Sequence, residues 1–181
     1  MPRFYTGSGD SGYTGTISSK NVKKDDVLME AIGSIDELNS AVGVAIAELT
    51  DDHLSEMLKV LQNKLFIAGA ELASCGSPKP SRNNVIRAAD IKELEDGIGE
   101  LSATLPKLTK FVLPGGCEGA AHLHMARAIA RRAERAVVAL KGRRCASAEM
   151  LGFMNRVSSL LFVSALYINM HEGVEEYNPT Y

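Results

Sequence analysis

The chain has 181 residues, 20 of them Lys or Arg and 22 Asp or Glu, giving a formal charge of -2 and a pI near 6.1. This length is most economically one domain with a sizeable core, and without a basic field nucleic acid is excluded as an expected partner. Cys75, Cys117 and Cys145 are odd in number, widely spaced and free of any CxxC pairing, so neither a disulfide framework nor a structural zinc site is expected and a reducing cytoplasm fits.

Residues 1–23 carry four glycines among Ser and Thr with no helical period, and read as a loop or short extended arm. From Asp25 to about Leu49, apolar residues recur at three and four (Ala31, Ile35, Leu38, Val42), the pattern of an amphipathic helix. Asp51-Asp52 supplies cap and negative charge for a second helix carried by Leu54, Leu58, Leu61, Leu65 and Leu72, which Cys75-Gly-Ser-Pro-Lys-Pro80 ends. A shorter third helix is expected over about Ala88–Ala103, with Pro106 stopping it, and Phe111-Val-Leu113 reads as a brief extended piece. Pro114-Gly-Gly116 turns the chain into a fourth helix over about Cys117–Lys141, with Gly142 as a left-handed cap. The last helix, about Ser147–His171, is nearly continuous in apolar residues and should be buried on most sides, with some surface available to another subunit. Its most apolar run, Leu160–Ile168, is shorter than the ~20 residues that span a bilayer, and no basic stretch leads into an apolar one at the N-terminus, so a soluble protein with no membrane partner is expected. The fold class expected is all-α: an up-and-down bundle of five helices.

The fourth helix holds the strongest chemical signal. Arg127, Arg131 and Arg135 stand four apart, with Arg132, Ala133 and Glu134 between, and like charges at this spacing cost an isolated helix about 0.2–0.5 kcal/mol per pair. A polyphosphate would relieve that repulsion, since guanidinium offers fixed donors and permanent charge; pairing with Glu134 on a solvated face is the structural alternative. Asp36 follows the inward Ile35, and if partly buried it needs a cation, for which Arg127 and Arg131 are the candidates; a solvated face is again the alternative. Asn39 and Asn155 lie in otherwise apolar helix, where an unpaired amide is costly. The Gly-rich loop, with Asp10 and Lys20, Lys23 or Lys24, suits a nest of N–H groups around phosphate, yet it matches neither the Walker nor the dinucleotide pattern. No Ser-His-Asp or Cys-His arrangement is present, and no metal-ligand set is expected; His122 and His124 face different sides of a helix.

These residues taken together resemble the ATP:cob(I)alamin adenosyltransferases of the propanediol-utilisation type, the corrinoid adenosyltransferase family. The motifs, in order, are Tyr5-Thr6 with Gly9-Asp10 and Gly12; Lys24-Asp25-Asp26; Ala31 to Asn39 as A-x-G-x-x-DELN; Gln62 with Gly69-Ala-Glu-Leu72; Phe111-Val-Leu-Pro-Gly-Gly116; Ala126-Arg127 through Arg135; and Asn155-Arg156 with Leu160-Leu-Phe162.

The resemblance implies a ferritin-like five-helix bundle over residues 25–172, preceded by a nucleotide-binding loop over 1–23, forming a homotrimer with ATP held between subunits. It implies that Thr6, Gly7, Ser8, Gly9, Thr14, Gly15 and Lys24 wrap the triphosphate. Arg131, Arg132, Ala133, Glu134 and Arg135 would meet it from the helix, with Glu134 organising the arginines, and Asn155 would contact the nucleotide. Asp36, Phe111, Arg127 and Arg131 are the implied catalytic set: Arg127 pairs with Asp36 across the subunit boundary, and Phe111 presses on the lower face of the corrin and displaces the axial base. Cobalt(I) is itself the nucleophile, attacking the 5' carbon of ATP and releasing triphosphate, with Mg2+ sharing the charge. A corrinoid reductase and a cobalamin-dependent mutase or dehydratase are implied partners. Gly7, Ser11, Asn21, Ser159 and Leu166 depart from the family's usual residues, which removes loop cations and predicts weaker ATP affinity. A non-catalytic nucleotide or corrinoid carrier of the same fold is the competing expectation.

Overall fold

The computed structural model describes residues 5–77, 85–143 and 145–180. Pro78 and Pro80, expected to end the second helix, lie outside them. The loop contains one two-stranded antiparallel ribbon, β1 (Tyr13–Thr14) and β2 (Val22–Lys23), with Tyr13 opposite Lys23 and Thr14 opposite Val22. Five helices follow: α1 (Val27–Ala47), α2 (Asp52–Ala73), α3 (Ala88–Ser102), α4 (Glu118–Ala139) and α5 (Ala148–His171).

Side chains set most helix starts. The carboxylate of Asp26 accepts from the Leu28 N–H at 2.8 Å, that of Asp51 from Leu54 at 2.7 Å, and Ser147 Oγ from Met150 at 3.0 Å; each satisfies a donor that the first turn leaves free. In α3 the carboxylate of Asp90 reaches back to the Arg87 N–H at 2.8 Å. α4 packs between α1 and α5, α2 covers the other side of α1, and α3 lies on α5. The face of α4 in the core is built from small residues, Ala120, Ala126, Ala130 and Ala133, all fully buried, so α1 and α5 approach closely. Arg127 and Arg131 each follow one of these alanines by one residue, about 100° around the helix, and so emerge at the edge of the packed face.

Three expectations are corrected. Gly142 is not a left-handed cap: α4 ends at Ala139, and Lys141–Arg143 form a 3-10 turn in which Arg143 N–H donates to Leu140 O at 2.9 Å. Tightening the last turn satisfies its carbonyls without a positive φ. Cys75 and Cys145 form a disulfide across 70 residues of sequence, with Cα atoms 5.3 Å apart. Spacing did not reveal it because the fold, not the sequence, brings the end of α2 beside the approach to α5, where Ser147 Oγ also donates to Glu71 Oε1 at 3.2 Å. Finally, the 24-residue α5 holds an 18-residue stretch long and apolar enough by composition to cross a membrane (mean hydropathy 1.4), yet 56 % of that stretch is buried inside the protein. It is a core helix packed on α3 and α4, and it carries buried Ser164 and Asn169.

Candidate active site

The glycine-rich loop is ordered by its own turns. Asp10 N–H donates to Gly7 O and Gly12 N–H to Gly9 O, both at 3.2 Å, and Lys24 N–H closes on Gly12 O at 2.9 Å. Gly7 and Gly12 hold φ of 73° and 82°, the left-handed region that glycine enters without strain. Thr6 and Ser8 share a hydroxyl bond of 2.7 Å, and a Cβ on Gly9 would stand 3.0 Å from the Lys24 ammonium. Thr6 and Ser8 are thus bonded to each other and Gly9 lies against the Lys24 ammonium, while Thr14 and Gly15 lie further along, in and after β1. Two anchors hold the loop to the bundle: Ser18 N–H donates to Ala73 O at 3.3 Å, and Arg143 clasps the Asp26 carboxylate at 2.8 and 3.0 Å. The Leu28 N–H and Arg143 hold that carboxyl below its usual range.

On α4, Arg131, Arg132 and Arg135 are exposed, but they are not equivalent. Arg132 is ion-paired with Glu37 of α1. Among the described residues, Arg131 and Arg135 make no ion pair with Glu134. That carboxylate instead accepts from Asn155 Nδ2 at 2.9 Å, and Asn155 Oδ1 accepts from Arg156 at 2.8 Å. The expected role of Glu134 as organiser of the arginines is therefore corrected: it fixes Asn155, on the neighbouring helix. Ala133 is also corrected, because its side chain is wholly buried in the core and has nothing to offer a nucleotide. Among the described residues no bond joins the loop to the arginines.

Asp36 is exposed and its carboxylate has no partner among the described residues, which corrects the expectation that it is partly buried. Within one chain it meets neither Arg127 nor Arg131. Asp36 lines a cavity of about 500 Å³ between α1 and α2, beside the exposed Phe66 and beside Asn39, whose Oδ1 is buried and unpartnered. Arg127 lies elsewhere, in two adjoining cavities. One, of about 520 Å³, is lined by Phe111, His124, Arg127 and Phe162; the other, of about 310 Å³, by Arg127, Arg131, Ser158 and Phe162. The guanidinium of Arg127 stands 6.0 Å from the Phe162 ring centre and its Nε is buried without a partner. Phe111 is 80 % exposed at the mouth of the larger cavity.

Sequence reasoning missed His124, Phe162 as a wall of the site, and Asn169. His124 is buried, with both ring nitrogens unpartnered; burial, and secondly Arg127, push it below its usual pKa, so the ring is neutral. A histidine three residues before Arg127 on an otherwise alanine-rich face was the available signal. Asn169, fully buried, directly follows the most apolar run of the chain. Among the described residues no group of three or more His, Cys, Asp or Glu side chains gathers for a metal.

Residues 4–168 match the sequence model of the cobalamin adenosyltransferase family. The chain is 38 % identical to the human corrinoid adenosyltransferase MMAB over 181 residues (97 % of this chain, 72 % of the relative), and 38 % identical to the corrinoid adenosyltransferase of Bacillus subtilis strain 168 over 176 residues (95 % and 89 %). Its fold superposes with a TM-score of 0.90 at 32 % identity on an alanine-for-phenylalanine variant of the PduO-type ATP:corrinoid adenosyltransferase of Lactobacillus reuteri, complexed with cobalamin and ATP, covering 99 % of this chain and all of that one. A lysine-for-arginine variant of the L. reuteri enzyme, complexed with ATP, superposes with a TM-score of 0.88 at 34 % identity (98 % and 100 % coverage). The chain belongs to the cobalamin adenosyltransferase family.

Proposed function

We propose that this protein transfers the 5'-deoxyadenosyl group of ATP to the cobalt of a reduced corrinoid, giving the adenosylated corrinoid and triphosphate. One observation carries the reading: the cavity of Phe111 and the cavity of Arg131 adjoin and share Arg127 and Phe162. A cobalt nucleophile and the ribose carbon it attacks must meet, so the seat for an apolar macrocycle and the clamp for a phosphate chain must be contiguous. The protein needs no nucleophile of its own. It must align the two substrates, stabilise the charge that develops on the departing triphosphate, and keep water from the cobalt.

In this reading Phe111 faces the lower side of the corrin, where an apolar ring excludes an axial ligand and makes the cobalt easier to reduce. Arg131 and Arg135 meet the triphosphate, Lys24 and the turn of Thr6–Gly9 enclose it, and Asn155, oriented by Glu134, contacts the nucleotide. Mg2+ would supply charge neutralisation from the phosphate oxygens. Asp36 and Arg127 lie in different cavities of one chain, each with a buried orphan polar atom nearby, and this supports a homotrimer in which they pair between subunits. A reductase that supplies the corrinoid in its low-valent state, and a mutase or dehydratase that uses the product, complete the reading. The direct test is the fate of the phosphates, followed by phosphorus NMR during anaerobic turnover. Intact triphosphate is expected; release of orthophosphate or pyrophosphate from ATP as the primary product would contradict the reaction.

A further inference from the structure

Phe111 poses a mechanical problem: at 80 % exposure its ring has almost no packing of its own to orient it, yet its proposed task requires a fixed position. The backbone around it is held instead. Asn178 Nδ2 donates to the Phe111 carbonyl at 2.8 Å, and the Leu113 N–H donates to the Tyr177 carbonyl at 2.7 Å. Both partners belong to the C-terminal tail that follows α5. The other end of the same segment is fixed by Asn169, fully buried in α5. Its Oδ1 accepts from the Cys117 N–H at 3.0 Å, and its Nδ2 donates to Gly115 O at 3.2 Å and to Glu176 Oε1 at 3.0 Å. Asn169 thus joins the Gly-Gly turn, α5 and the tail in one satisfied network, which is the condition under which a buried amide makes a structure rigid. The fit is close: Gly116 has φ 109°, and a Cβ there would lie 2.0 Å from Asn169 Oδ1.

We propose that Asn178 and Asn169 are positioning residues for the reaction, holding Phe111 against the corrin through the backbone of residues 111–117. The proposal rests on the reading of Phe111 given above. It explains why an exposed aromatic is flanked by an asparagine-mediated clamp on both sides, since a catalytic group must be held to well under an ångström by its surroundings.

Asn178 is exposed, so Asn178→Ala leaves the core untouched. Electron paramagnetic resonance of cob(II)alamin bound to the ATP-loaded protein reports whether the lower axial nitrogen is coordinated, through its superhyperfine splitting. In the unmodified protein the splitting should vanish. In Asn178→Ala, and in a chain lacking residues 177–181, a base-coordinated fraction should return and kcat should fall about tenfold, the scale of a slightly misplaced reacting group, with KM for ATP and the melting temperature unchanged. Asn178→Gln, which keeps the donor, should recover most of both. If the unmodified protein keeps the splitting, the assignment of Phe111 fails and the proposal with it. If the unmodified protein loses the splitting and both tail variants behave identically to it, the proposal alone is overturned.

Discussion

At the scale of single residues, the arginine stripe separates into different tasks. Repulsion along one helix face calls for an anion, but Glu37 already occupies Arg132, leaving Arg131 and Arg135 for a ligand. Arg131→Ala should lower turnover by about 100-fold or more, as loss of a group aimed at developing charge does, while circular dichroism and melting stay unchanged because the side chain is exposed; near-normal turnover would remove Arg131 from the clamp. His124 gives a pH prediction. Its folded pKa lies below the ordinary 6.5 because the ring is buried, so the unfolded chain takes up the proton first and stability rises with pH. The contribution is full above pH ~6.5 and is lost progressively as the pH falls below it. Urea midpoints measured between pH 5 and pH 8 should show that decline, and His124→Leu should flatten it; an unchanged slope would show that the ring is not held neutral.

At the scale of elements, helix starts and periods were written in the sequence, because Asp26, Asp51 and Ser147 act on the turn beside them. What the sequence did not disclose were features decided by distant segments. The end of α4 was read from Gly142, yet a 3-10 turn closes it. The pairing of Cys75 with Cys145 depends on where the ends of α2 and α5 meet. Asn169 lies near the end of an apolar helix, and the turn at Gly115–Cys117 and the tail give it its partners. The disulfide closes a long loop, and the chain-entropy argument puts its contribution at about 2–4 kcal/mol. Cys75→Ser with Cys145→Ser should lower the denaturant midpoint accordingly, and the unmodified protein should lose the same amount on reduction; equal stability with and without the bond would show that it constrains nothing in the unfolded chain. In the core, Phe153 is fully buried in α5, and Phe153→Ala should cost about 3–5 kcal/mol by leaving a cavity, read from the same unfolding curve.

At the scale of the whole molecule, the five-helix bundle was legible from hydrophobic period alone, whereas the site was legible only in its parts. Phe111 and Arg131 were identifiable as residues, but the adjoining cavities that they line, joined through Arg127 and Phe162, follow from the way α4 packs on α5. Asp36 illustrates the limit: it faces solvent in one chain, and the role proposed for it requires a second copy. Sedimentation should give a particle three times 19.4 kDa, and Asp36→Ala should weaken that assembly and turnover together; a monomer with full activity would refute a shared site. The central claim, that the adjoining cavities unite a corrinoid and ATP for alkyl transfer, is tested most directly by mixing the protein with ATP, magnesium and chemically reduced cobalamin without oxygen and following the cobalt(I) absorption band. The account predicts loss of the band with formation of adenosylcobalamin, dependent on both ATP and protein; a persistent band while ATP and corrinoid are both bound would contradict it and mark the protein as a carrier.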